Sequence, residues 1–106
     1  MKIGIIISSN DSETVWNAFR YGNFALKANN AVKIFLTGKG VEAESIGTEK
    51  FNVTQQMGDF VGGGGKIYAC GTCLTVRGAQ PSGLCPLSTL KDMHDIIEES
   101  DRVLTF

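Results

Sequence analysis

Ile3, Ile5, Ile6 and Ile7 make a near-continuous apolar run at the head of the chain, which predicts a strand covered on both faces, as in a parallel sheet. Polar SSNDSE follows at once. Asn10 with Glu13 three residues on has capping-box spacing, and Val15, Phe19, Gly22 and Leu26 recur at helical intervals, predicting a helix over roughly residues 12 to 28. A second apolar run, AVKIFLTG, stops at glycine and predicts a strand near residues 31 to 37. Asn52 with Gln55 marks another helix start, with Val53, Met57 and Val61 as its apolar stripe and the glycines at 62 to 65 as its end. KIYAC reads as a third strand, and GTCLTVRG fits a two-turn helix closed by Gly78. Thr89 and Asp92 can cap a last helix carrying Leu90, Met93 and Ile97, and DRVLTF closes the pattern as a strand.

Strands alternating with helices call for an α/β domain with a mostly parallel sheet and helices on both faces. Pro81, Gly83 and Pro86 leave room for only a very short strand between the third strand and the last helix. At 106 residues the chain is expected to be one domain, 1–106, with one core. Trp16, Phe19, Tyr21 and Phe24 crowd the first helix, more aromatic surface than so small a core absorbs, so a homo-oligomer with some of them in a subunit interface is expected.

Charge narrows the classes of partner. Ten basic and eleven acidic side chains give a net charge of -1, and no segment gathers Lys and Arg, so neither nucleic acid nor an anionic membrane is an expected partner. MKIGIIISS has one Lys and an apolar run too short for a signal segment or a membrane span, so a cytoplasmic location is expected. Three cysteines, an odd number, argue for reduced thiols rather than a disulfide framework.

Two of those thiols stand in YACGTCLTVRG, residues 68 to 78. Ligands of parallel α/β sheets gather at the carboxyl ends of the strands, and Cys70 falls at such an end. A helix dipole stabilises an anion by about 0.3 to 1 kcal/mol, which lowers a thiol pKa by less than about one unit. A strongly acidic thiol therefore needs a cation as well. Arg77 would share a helix face with Cys70 but sit about 10 Å along the axis, so it reads as a substrate or interface residue. Gly71 would leave the space beside Cys70 open to another molecule's sulfur. Cys73, one turn on, is either a second working thiol or a small core residue, and Cys85 is either a resolving thiol or a structural one braced by Pro86.

Other chemistries fit less well. One C-x-x-C is a weak zinc signal, and Cys85 and His94 complete a ligand set only on paper, so no metal and no cofactor is expected. GKGVEA at 38 to 43 matches a dinucleotide loop but follows the second strand rather than the first, GGGGKI lacks the Ser or Thr of a phosphate loop, and SSNDSET has no glycine. A thioredoxin-like couple would have Trp before the pair and Pro inside it, and neither is present.

The stretches ETVWNAFRYGNFALKANNAVKIFLTGKGVEAE, GGGGKIYACGTCLTVRG and ESDRVLTF resemble the DsrE/DsrF-like family of small sulfur-relay proteins, which includes the TusD group, and the likeness runs from Met1 to Phe106. Its most specific part is the C-x7-G spacing from Cys70 to Gly78, with Arg77 just before the glycine. The resemblance implies a flavodoxin-like three-layer α/β/α fold around a five-stranded sheet, assembly into trimers or hexamers, and transfer of sulfane sulfur between donor and acceptor proteins. It makes Cys70 the bearer of a persulfide; beside it, Cys73 is expected as a second catalytic thiol and Gly71, Thr72 and Arg77 as binding positions. Gly71, Thr72 and Cys73 depart from the small apolar residues that often follow that cysteine in the TusD group. Two other readings stay open: an oligomeric binding or regulatory module with structural cysteines, and a thiol redox protein using Cys70 and Cys73.

Overall fold

The apolar runs become five parallel strands in a computed structural model that describes residues 1–106. These are β1 (Lys2–Ile7), β2 (Ala31–Leu36), β3 (Lys66–Cys70), β4 (Leu87–Ser88) and β5 (Arg102–Thr105), in the order β4-β3-β2-β1-β5. Between them run α1 (Ser12–Lys27), a 3-10 helix (Gly38–Ser45), α2 (Val53–Gly62), α3 (Gly71–Val76) and α4 (Leu90–Glu99). From β1 to β4 every connection steps the same way across the sheet; the β4–α4–β5 connection returns over three strands to the opposite edge. With right-handed crossovers, that reversal puts α4 on the face opposite α1 and α2. The result is the three-layer α/β/α, flavodoxin-like arrangement. No helix is long and apolar enough to cross a membrane.

The two faces are packed unequally. Ile3, Ile5 and Ile7 of β1 with Val32, Ile34 and Leu36 of β2 pack with α1 and α2 in a core of 18 buried residues. Phe19 and Phe60 meet there edge to face, with ring centroids 5.9 Å apart. On the other face a cluster of only three buried residues, Phe35, Cys70 and Ile96, lies under α4.

Several predicted positions shift once neighbouring elements are in place. The α1 cap is Asp11 rather than Asn10, because Thr14 offers Asp11 both its N–H (3.0 Å) and its hydroxyl (2.8 Å). Asn10 instead donates to Glu42. In α2 the stripe is Val53, Met57 and Phe60, and Val61 is exposed, since α1 and Gly22 receive the Phe60 ring. In α4, Ile96 is buried while Leu90 and Ile97 are exposed, because the helix meets the sheet along the narrow line of Met93 and Ile96. Phe19 is buried, Trp16 packs on Phe51, and Phe24 is 68% exposed in the single chain. The caps at Asn52 and Thr89 form as predicted, the latter as a full capping box with Asp92.

The GKG triplet has a structural explanation. Gly40 donates its N–H to Thr37 O and lies so close to β1 that a Cβ there would stand 2.1 Å from Ile7 O. That approach locks the 3-10 helix onto the end of β1. Gly40→Ala should therefore cost about 2 kcal/mol or more. Gly58 is exposed inside α2 with nothing near its Cβ direction, so Gly58→Ala should stabilise by about 0.5–1 kcal/mol. Urea unfolding midpoints check both, and equal midpoints for the two variants would contradict this packing.

Candidate functional site

β3 ends at Cys70, and α3 begins on the next residue, so one helical turn carries Cys73 back over Cys70. Their sulfurs are 3.0 Å apart. Beside them, β2 ends in the turn Thr37–Gly38, where Gly38 has φ +54, a conformation open to glycine at little cost. That turn aims the Gly38 N–H at Cys73 Sγ, 3.1 Å away, with the Thr37 hydroxyl 3.9 Å from the same sulfur.

This arrangement decides which sulfur holds the charge. With both thiols protonated, Cys73 Sγ donates to Cys70 Sγ across the 3.0 Å contact; when the pair loses one proton, the Gly38 N–H favours the charge on Cys73, and the proton that remains sits on Cys70 and points at Cys73. The hydrogen bond from Cys70 accordingly lowers the Cys73 pKa, aided by Gly38, Thr37 and the Arg77 charge and opposed by burial. Burial first, and the bond to Cys73 second, push the Cys70 thiol up, against the N–H groups of Cys73 and Thr72. Cys70 is buried with Phe35 and Ile96, and Cys73 is half-buried at the edge of that cluster.

The structure brings some of the sequence-predicted residues together and separates others. Arg77 touches neither sulfur: its Nε donates to Glu42 Oε2 at 2.8 Å and its Nη1 to the Cys73 carbonyl at 3.2 Å, tying the end of α3 to the 3-10 helix. Gly71 is not an approach lane, which corrects the reading of open space beside Cys70. A Cβ at Gly71 would stand 3.0 Å from Leu87 Cδ1 and 3.3 Å from Ser88 O, so β4 fills that space. Thr72 is exposed on the first turn of α3. Cys85 lies apart, buried in the larger core, with no hydrogen bond to either sulfur of the pair. Burial, then Glu44, pushes its thiol far above the ordinary range. It is one of the residues lining a cleft of about 540 Å³, with Glu42, Leu74, Arg77 and Ser82, where the Ser82 hydroxyl donates to Glu44. His94 pairs with Glu98 along α4, and no three His, Cys, Asp or Glu side chains gather as a metal would need.

Thr37 and Gly38 belong to the site although their segment reads only as a failed nucleotide loop. Their available signal is position, at the carboxyl end of the strand beside β3.

Comparison with known proteins agrees with this architecture. The model of the DsrE/DsrF-like family matches residues 1–106. The uncharacterized protein MJ0989 of Methanocaldococcus jannaschii is 32% identical over 114 residues, covering 100% of both chains. The uncharacterized protein MK0008 of Methanopyrus kandleri is 31% identical over 100 residues, 89% of this chain and 83% of that one. Among solved structures, the ychN protein from E. coli matches with a TM-score of 0.84 at 23% identity over 100% of both chains. The conserved protein of unknown function BT1422 from Bacteroides thetaiotaomicron matches with a TM-score of 0.79 at 16% identity, covering 99% of this chain and 94% of that one.

Near neutral pH, iodoacetamide should modify Cys73 first, Cys70 more slowly and Cys85 only on unfolding, as read by peptide mass spectrometry. Cys70→Ala removes the thiol donor that holds the Cys73 pKa down. The pH profile of Cys73 alkylation should then move to higher pH; an unchanged profile would place the charge elsewhere.

Proposed function

Because the chain belongs to the DsrE/DsrF-like family along its whole length, we propose that it handles sulfur, its Cys70–Cys73 pair accepting sulfane sulfur as a persulfide from one protein and delivering it to another. The observation that carries this reading is the 3.0 Å contact between two thiols, one of which is held toward its thiolate form by Gly38. Persulfide formation needs a thiolate within reach of the donor's outer sulfur, and the half-buried Cys73 with Cys70 beside it meets that need. Resemblance alone names Cys70 as the bearer. Its sulfur stands 3.0 Å from Cys73 Sγ, within hydrogen-bond reach, so both belong to one reacting unit. Cys85, buried and held protonated, lies outside that unit.

A homo-oligomer is part of the same proposal. Exposed Phe24 on α1, Leu87 on β4 and Leu90 at the start of α4 are apolar surface that a second copy would cover.

The test is consumption of sulfane sulfur. Reduced protein mixed with glutathione persulfide should deplete it, measured by cyanolysis of the remaining donor, and Cys85→Ser should do so equally. The double variant Cys70→Ser/Cys73→Ser should not. Depletion by the double variant at the wild-type level, or none by the wild type, refutes the reading.

A further inference from the structure

We infer that Cys73 makes the first attack on the sulfane donor and that Cys70 then discharges the sulfur as hydrosulfide, leaving a Cys70–Cys73 disulfide. This rests on the sulfur-handling reading, reverses the order of the two cysteines that resemblance alone implies, and makes hydrosulfide release the fate of the sulfur when no acceptor protein is there to take it from Cys73.

Access comes first. Cys70 is packed against Phe35 and Ile96, and Leu87 and Ser88 occupy the space beside Gly71, whereas Cys73 is half-buried. An incoming sulfur therefore meets Cys73. Charge agrees with access: the Gly38 N–H, the Thr37 hydroxyl and the Cys70 thiol all face Cys73 Sγ. Gly38 comes from the end of a different strand, so this donor is supplied from outside the short α3 helix.

The sulfur separation then selects the second step. Attack on a persulfide runs in line with the bond that breaks. For Cys70 to reach the outer sulfur on Cys73, one S–S bond of about 2 Å further out, the two Sγ atoms would have to stand about 5 Å apart. At 3.0 Å, Cys70 faces the inner sulfur, Cys73 Sγ itself. Attack there expels the outer atom.

The steps balance as follows. The Cys73 thiolate attacks the outer sulfur of a persulfide R–S–SH; the donor's S–S bond breaks with its electron pair on R–S⁻, which takes the Cys70 proton and leaves as R–SH. The Cys70 thiolate so formed attacks Cys73 Sγ, making the Cys70–Cys73 bond and releasing the outer sulfur with its electron pair as HS⁻. The sulfane sulfur gains two electrons, and the two thiols lose two in becoming a disulfide. A dithiol reductant must reopen the pair before a second cycle.

The experiment exposes reduced wild type, Cys70→Ser and Cys73→Ser to glutathione persulfide without oxygen, removes the donor rapidly, and reads intact mass and released hydrosulfide. Wild type should end about 2 Da lighter with stoichiometric hydrosulfide. Cys70→Ser should stay about 32 Da heavier and release none, its extra sulfur assigned to Cys73 by fragment ions of the tryptic peptide 67–77, which holds both cysteines. Cys70→Ala serves as a second variant should Ser unsettle the buried position. Cys73→Ser should load at least about tenfold more slowly. Loading of Cys73→Ser at the wild-type rate with Cys70→Ser unloaded, or wild type that remains about 32 Da heavier with no hydrosulfide, overturns the inference. No uptake by any of the proteins overturns the sulfur-handling reading and this inference with it.

Discussion

Parallel pairing of β2 with β3, in the register that sets Leu36 beside Ala69, is the constraint on which the site depends. It brings the Thr37–Gly38 turn alongside the first turn of α3, so one strand end supplies the thiols and the other the donor that polarises them. Side chains alternate along a strand, so a slip of one residue would carry Cys70 to the opposite face. The buried Ile34 and Ile67, paired on the heavily packed face, hold that register through hydrophobic burial. Geometry at the sulfurs is therefore maintained from the core beneath α1 and α2.

The opposite face is built differently. α4 is its main cover, joined at the edge by Val41 of the 3-10 helix and Cys73 of α3, with Ile96 as the one buried side chain of α4, and the Lys33–Glu99 ion pair, partly open to water, contributes little there. Cys70 thus sits where packing is thin. Its burial is enough to disfavour a thiolate, while few neighbours resist a change in its bonding partner. The proposed alternation between thiol and disulfide suits this lightly packed side better than the 18-residue core.

Periodicity carries most of the fold because local start and stop signals bound its helices: the caps at Asn52 and Thr89–Asp92 and the glycine at 78 all act where the pattern places them. What it does not carry is the choice between adjacent candidates. Phe60 or Val61, Ile96 or Ile97, Asp11 or Asn10 differ by one residue, a rotation of about 100° on a helix, and the packing partner decides between them. The same limit applies at the site. Cys70, Cys73 and Arg77 stand out in the sequence, and the family is recognisable from their spacing. The assignment of charge to Cys73 depends on an N–H 35 residues away in the chain, and the closure of the space at Gly71 depends on a two-residue strand that Pro81, Gly83 and Pro86 nearly abolish.

Cys85 gives the odd cysteine count a meaning beyond packing. A third thiol on the surface would be free to attack any oxidised pair, on its own chain or on another copy, and would turn each oxidation into mixed disulfides and covalent cross-links between molecules. Enclosed in the main core, with Glu44 discouraging its ionisation, Cys85 is insulated from that exchange. In the proposed cycle, thiol oxidation would then be confined to two neighbouring sulfurs, and each copy of the protein would retain its covalent individuality through it.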